Sequence, residues 1–206
     1  MERINNWEQI QEKGEMKYLQ PGVYVCKILR VEDVKDKQYL KVEFDIYEGE
    51  NKGYFAERFE RYKRWSGTYY ASYKDQSQSS FKRFITAVEN SNTGFKWNWI
   101  ETQLVGKVVV FAFGRVEEIV ENPKTKVKSL KWLVKPRYPH SIKSLRDGKV
   151  EIPEDRHIDP TKVDITDVEP KGKLQQDPNW TPPTRNSSEP TKPSVNVEID
   201  VDDLPF

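Results

Sequence analysis

A chain of 206 residues has room for one domain plus a tail or for two small domains, and at 35% hydrophobic and 33% charged its core is smaller than that length allows, which predicts an unfolded part. The net charge of +1 conceals an asymmetry: residues 161–206 carry five basic and nine acidic side chains, a balance of −4, and the other 29 basic and 24 acidic residues give residues 1–160 a balance of +5. Cys26 is the single cysteine, which excludes an intrachain disulfide. No apolar run approaches the ~20 residues of a membrane span.

In chain order, Met1-Glu2-Arg3-Ile4-Asn5-Asn6 lacks a signal-peptide apolar region, so a cytoplasm is the expected compartment. Trp7 and Ile10 stand at helical spacing behind Asn5 or Asn6 as a cap. Pro21-Gly22 then punctuates the chain. Residues 23–34 are β-rich, with Val23, Val25, Leu29 and Val31 expected on one face. Residues 39–47 alternate cleanly: Leu40, Val42, Phe44 and Ile46 point one way, and Tyr39, Lys41, Glu43, Asp45 and Tyr47 the other. That period of two predicts a half-buried antiparallel strand. Residues 48–53 read as a turn and 54–62 as a third strand.

From Arg61 to Lys74 the chain holds rings and cations without aliphatic side chains larger than alanine. It reads as a long exposed loop. Residues 77–90 follow as an amphipathic helix, with Phe81, Phe84, Ile85 and Val88 on its apolar stripe behind a serine cap. Residues 106–115 and 130–134 read as the fourth and fifth strands, joined at the tip Asn122-Pro123-Lys124-Thr125-Lys126. Residues 142–152 are expected to make a short docking segment. The stretch 159–194, with Pro178-Asn179-Trp180-Thr181-Pro182-Pro183, has the composition of a disordered Pro-rich linker.

Five strands with one helix between the third and fourth is the layout of an OB-fold, a partly open barrel that binds oligonucleotides across one face; other small β-barrels with a helix share it. The expected organisation is therefore an OB-fold-like domain over residues 1–158, the linker over 159–194 and an acidic interaction tip over 195–206.

Single-stranded nucleic acid offers base faces for rings and phosphates for cations. In the basic-aromatic loop, Tyr62, Trp65, Tyr69, Tyr70 and Tyr73 are candidates for stacking, and Arg61, Lys63, Arg64 and Lys74 for phosphate. Each ring has a competing reading as packing at the barrel mouth. Lys96 and Trp97 are further candidates, with Trp99 two residues on. Trp132 alternates with Leu130 and Val134 and is expected in the core, which turns Lys131 and Lys135 towards the groove. Catalytic chemistry finds little support. His140 and His157 lie apart without a neighbouring cysteine, there is no phosphate-cradling glycine loop or serine elbow, and no acid cluster suits a two-metal nuclease. No metal, cofactor or enzymatic activity is expected.

The segments Gly53-Tyr54-Phe55, Phe81-Lys82-Arg83-Phe84-Ile85-Thr86-Ala87-Val88-Glu89-Asn90-Ser91-Asn92 and Gly94-Phe95-Lys96-Trp97, with the later Gly106-Lys107 strand, resemble a group of single-stranded DNA-binding proteins from phages and mobile elements of Gram-positive bacteria. The resemblance spans about residues 20–155. The end of the chain, Asp202-Asp203-Leu204-Pro205-Phe206, resembles the C-terminal tip of bacterial single-stranded DNA-binding proteins, with Leu204 where isoleucine is usual. Pro205 stiffens that tip, and an aromatic ring beside an α-carboxylate suits a pocket rimmed by Arg or Lys.

The resemblance implies a non-enzymatic protein that coats single-stranded DNA in a bacterial cytoplasm during replication or recombination of a mobile element. It would recruit replication or recombination enzymes through the tip, without membrane association, and is compatible with a homo-oligomer. An adaptor or regulator of a replication enzyme, or an RNA chaperone, are the rival readings.

Overall fold

The computed structural model describes residues 18–122, 124–161 and 168–169. Trp7 and Ile10, the tip 195–206 and nearly all of the linker 159–194 lie outside the described residues.

The sheet is organised around β1 (Gly22–Val34), which pairs antiparallel with β4 (Val108–Glu121) through its first half and with β2 (Tyr39–Ile46) through its second. A register shift between Ile28 and Arg30 changes which alternate residues face inward. Cys26 and Ile28 are buried before it and Val31 after it, while Leu29 is exposed. The expected common face of Val23, Val25, Leu29 and Val31 is thereby corrected. Val23 and Val25 belong to a second cluster on the opposite face, and the bulge turns Leu29 outward.

β3 (Thr68–Ser72) adds to β2, and β5 (Lys128–His140) adds to β4. The order β3-β2-β1-β4-β5 is antiparallel throughout, and β6 (Val168–Glu169) joins β5 in parallel at Lys128 and Ser129. β2 follows its alternation: Leu40, Val42, Phe44 and Ile46 are all buried. The expected helix is α2 (Gln78–Ser91), between the third and fourth strands, and it buries Phe81, Phe84, Ile85, Ala87 and Val88. It packs against β3, β4 and β5, bridging two strands that do not pair with each other. The protein is thus mainly β, with an OB-fold-like five-stranded sheet left open and covered by a helix. Phe44, Phe84, Phe111 and Phe113 are fully buried at its centre, each worth roughly 1.5–3 kcal/mol of transfer free energy.

Two expected elements are different in the structure. Residues 54–62 are not a strand but α1 (Tyr54–Tyr62). Gly53 enters it in the left-handed region at φ 75°, and the Asp45 carboxylate accepts hydrogen bonds from the Phe55 and Ala56 amides at 2.9 and 3.0 Å. A carboxylate reaching across from β2 thus satisfies the first orphan amides of the helix. Phe55 then packs on Phe44 and Phe113. The stretch 61–74 is likewise not all exposed loop: it ends α1, turns through Gly67 and supplies β3 as the true third strand.

α3 (Ile142–Arg146) is the expected docking segment, capped by Ser141, whose Oγ accepts from the Ser144 amide at 3.1 Å. Ile142 and Leu145 cover Val23, Val25, Val108 and Val110 on the second face of the sheet. Trp132 is half-buried rather than core, meeting the His157 ring at 4.8 Å and the Arg115 guanidinium at 5.6 Å. Among the described residues no helix is long and apolar enough to cross a membrane.

Candidate nucleic-acid interface

Because α3 covers the β1–β4 part of the second face, the β2–β3 part is left without a covering element among the described residues. The outward residues there are fixed by register: Lys41 stands opposite Tyr70, Tyr39 opposite Ser72 and Glu43 opposite Thr68. Tyr39 and Tyr70 meet edge to face with centroids 5.3 Å apart, and Tyr70 is 58% exposed. Arg30 lies across from Glu43 on β1. Its guanidinium donates to both Glu43 oxygens at 2.9 Å, and Lys41 Nζ reaches Glu43 Oε1 at 3.0 Å. Burial pushes the Glu43 carboxyl up, but the hydrogen bonds from Arg30 and Lys41 outweigh it and hold the carboxyl below its usual range. The result is two rings and two cations on one sheet face, with the cations anchored by one shared carboxylate.

The loop candidates divide. Tyr70 is on this face. Tyr62, at the end of α1, is 56% exposed with the Arg58 guanidinium 5.3 Å from its ring. The other three rings turn inward. Trp65 packs against the core and its Nε1 donates to the Gly67 carbonyl at 2.9 Å. Tyr69 lies 5.5 Å from Phe84 and 4.9 Å from Phe111, and burial pushes its phenol up. Tyr73 packs on Phe81 and donates its hydroxyl to Asp33 at 2.8 Å. An edge strand sends alternate residues to opposite faces, so Tyr69 goes in where Tyr70 goes out.

The cations divide as well. Arg61 pairs with Glu57 at 3.8 Å, Lys63 with Glu60 at 2.8 Å and Lys96 with Glu89 at 2.9 Å. Arg64 and Lys74 are exposed and form no ion pair among the described residues. Lys131 is exposed on β5, where it lines a shallow groove with Val120, Thr125 and Ser129, while Lys135 is tied to Glu118 at 2.6 Å. Trp97 is half-buried against Phe81, 5.6 Å away, and its Nε1 donates to the Ile100 carbonyl at 3.0 Å. Trp99 is 80% exposed and sits at φ 69°, a backbone region that bulky side chains seldom adopt.

Sequence reasoning left Tyr39, Lys41 and Arg30 out of the site. The signal for the first two was present in the clean alternation of residues 39–47, whose outward side carries both. Among the described residues no group of three or more His, Cys, Asp or Glu side chains could hold a metal. Cys26 is fully buried and its thiol is pushed well up by that burial. No protein-family model and no curated protein matches the sequence.

Proposed function

We propose that this protein binds single-stranded DNA without strong sequence preference, laying the strand across the outer face of β2 and β3. The observation that carries the reading is the Tyr39–Tyr70 pair beside Lys41 and Arg30 on a face left open in an OB-fold-like sheet. Base stacking on exposed rings tolerates every sequence, and the cations answer the phosphate chain. The body balance of +5 favours approach of a polyanion. In this reading the protein protects DNA during replication or recombination of a phage or mobile element in a bacterial cytoplasm. Asp202, Asp203, Leu204, Pro205 and Phe206 recruit replication or recombination enzymes, and the stretch before them gives reach.

Competition binding tests it. Labelled oligo-dT should be displaced by unlabelled oligo-dT far better than by duplex DNA or RNA of equal length. Equal displacement by RNA supports an RNA chaperone instead. Negligible DNA affinity with capture of a replication enzyme supports an adaptor.

A further inference from the structure

A second group of cations sits where α2 meets the end of β5. Arg83 lies just outside the apolar stripe of α2, and Arg137, Tyr138 and His140 close β5. The guanidinium of Arg83 lies 5.3 Å from the centre of the Tyr138 ring, and that of Arg137 lies 5.3 Å from the same ring. Arg83 Nη2 is 3.3 Å from His140 Nε2. A guanidinium can only donate, so this contact requires Nε2 to accept and the imidazole to be neutral, with its proton on Nδ1. Burial and then the charge of Arg83 lower the His140 pKa, consistent with that form.

Two fixed positive charges therefore share one ring. Three other arginines meet carboxylates: Arg30 pairs with Glu43, Arg61 with Glu57 and Arg115 with Asp155. Arg83 and Arg137 form no ion pair among the described residues; Arg137 instead donates to the Glu154 carbonyl and the Tyr138 hydroxyl. A pair of guanidiniums held together by a ring, with no carboxylate partner among the described residues, is a concentration of positive charge with fork donors suited to a tetrahedral anion.

We propose that Arg83 and Arg137, oriented by Tyr138 and flanked by His140, form a phosphate-binding site that takes the phosphodiesters of a single-stranded DNA leaving the β2–β3 face. α2 packs against both β3 and β5 and so connects the two places. The charge of Arg83 also reaches the phenol of Tyr69, the residue beside Tyr70, where it opposes the upward push of burial. The strand turns over the β3 edge, crosses the exposed side of α2 and meets the two guanidiniums. This inference rests on the proposed DNA-binding reading and extends its path.

The test uses the full chain, oligo-dT lengths spanning about 4 to 16 nucleotides, and three proteins: wild type, Arg83→Gln/Arg137→Gln and Tyr70→Ala. Affinity is measured against salt. The double variant should bind the longest oligonucleotides less tightly, with the slope of log K against log salt flattened by about 1.4, two phosphates at ~0.7 each. It should match wild type on the shortest. Its thermal melt checks folding, and an Arg83→Lys/Arg137→Lys variant should restore most of the slope if the double Gln variant is unstable. The imidazole resonances of His140 should move on adding long oligo-dT, with His157 as the internal control. If the double variant keeps the wild-type slope at every length while Tyr70→Ala weakens binding, this inference is overturned and the DNA-binding reading stands. If wild type binds no oligo-dT, both fall. If inorganic phosphate shifts His140 and oligo-dT does not, the site takes free phosphate and the strand path is wrong.

Discussion

Glu43 governs the candidate face more than any other single residue, because one carboxylate occupies both nearby cations. In the proposed function, phosphate has to compete with it for Arg30 and Lys41. Glu43→Gln should therefore tighten oligo-dT binding and steepen its salt dependence, read by anisotropy at several salt concentrations. The pH dependence follows from the lowered carboxyl. A folded pKa below the unfolded one contributes stability that is complete above the ordinary carboxylate range and is lost as pH falls through the lowered value. Over the same window protonation releases Arg30 and Lys41, so wild-type DNA affinity should rise with acidity relative to Glu43→Gln. Parallel pH profiles for the two proteins would show that Glu43 does not restrain these cations. Trp65 and Tyr69, by contrast, are packing residues. Their replacement by Ala should lower the melting temperature.

The elements show what the residue pattern reveals and what it hides. β2 and α2 were legible because each buries one face and exposes the other, so Val42 and Phe44, or Phe84 and Val88, repeat at the period of their element. α1 was not. Its residues 54, 58 and 62 form an i, i+4 ladder in which Arg58 lies over both Tyr54 and Tyr62, but the ladder has no aliphatic stripe. Its N-terminal amides are satisfied by Asp45 from the preceding strand, a cap that no local motif announces. β3 was hidden for a related reason: Thr68-Tyr69-Tyr70-Ala71-Ser72 becomes a strand only through its pairing with β2. Ala71 and Tyr69 then face the core and Tyr70 faces outward.

A Cβ at Gly67 would stand 2.3 Å from the Phe44 carbonyl oxygen and 2.7 Å from the Phe55 ring, so Gly67→Ala should cost about 1–3 kcal/mol or more in chemical denaturation and loosen the β3 edge. The Asn92 side chain donates to the Val108 carbonyl at 2.8 Å and accepts from the Val108 amide at 3.0 Å, tying the end of α2 to β4. Asn92→Ala leaves both groups unpaired and should cost roughly 1–3 kcal/mol in the same measurement. A wild-type midpoint for either variant would contradict these packing assignments.

At the scale of the whole molecule the charge is divided between a basic body and an acidic end. If the body binds DNA as proposed, the acidic end should compete with DNA for it, and salt should weaken that competition. Removing residues 195–206 should leave oligo-dT binding intact or modestly tighter at low salt, and should abolish pull-down of replication enzymes. Phe206→Ala should reproduce most of the second loss, since the tip then lacks its largest apolar group. Capture of the same enzymes by the truncated protein would move recruitment into the body.

If the outer β2–β3 face holds the bases as proposed, the Tyr39–Tyr70 pair carries them. The measurement is oligo-dT affinity of Tyr39→Ala/Tyr70→Ala at fixed salt, beside its thermal melt. Stacking worth ~1–3 kcal/mol per base predicts a loss of about 2–6 kcal/mol with the fold retained. A folded double variant that binds oligo-dT as tightly as wild type would mean that the bases lie elsewhere.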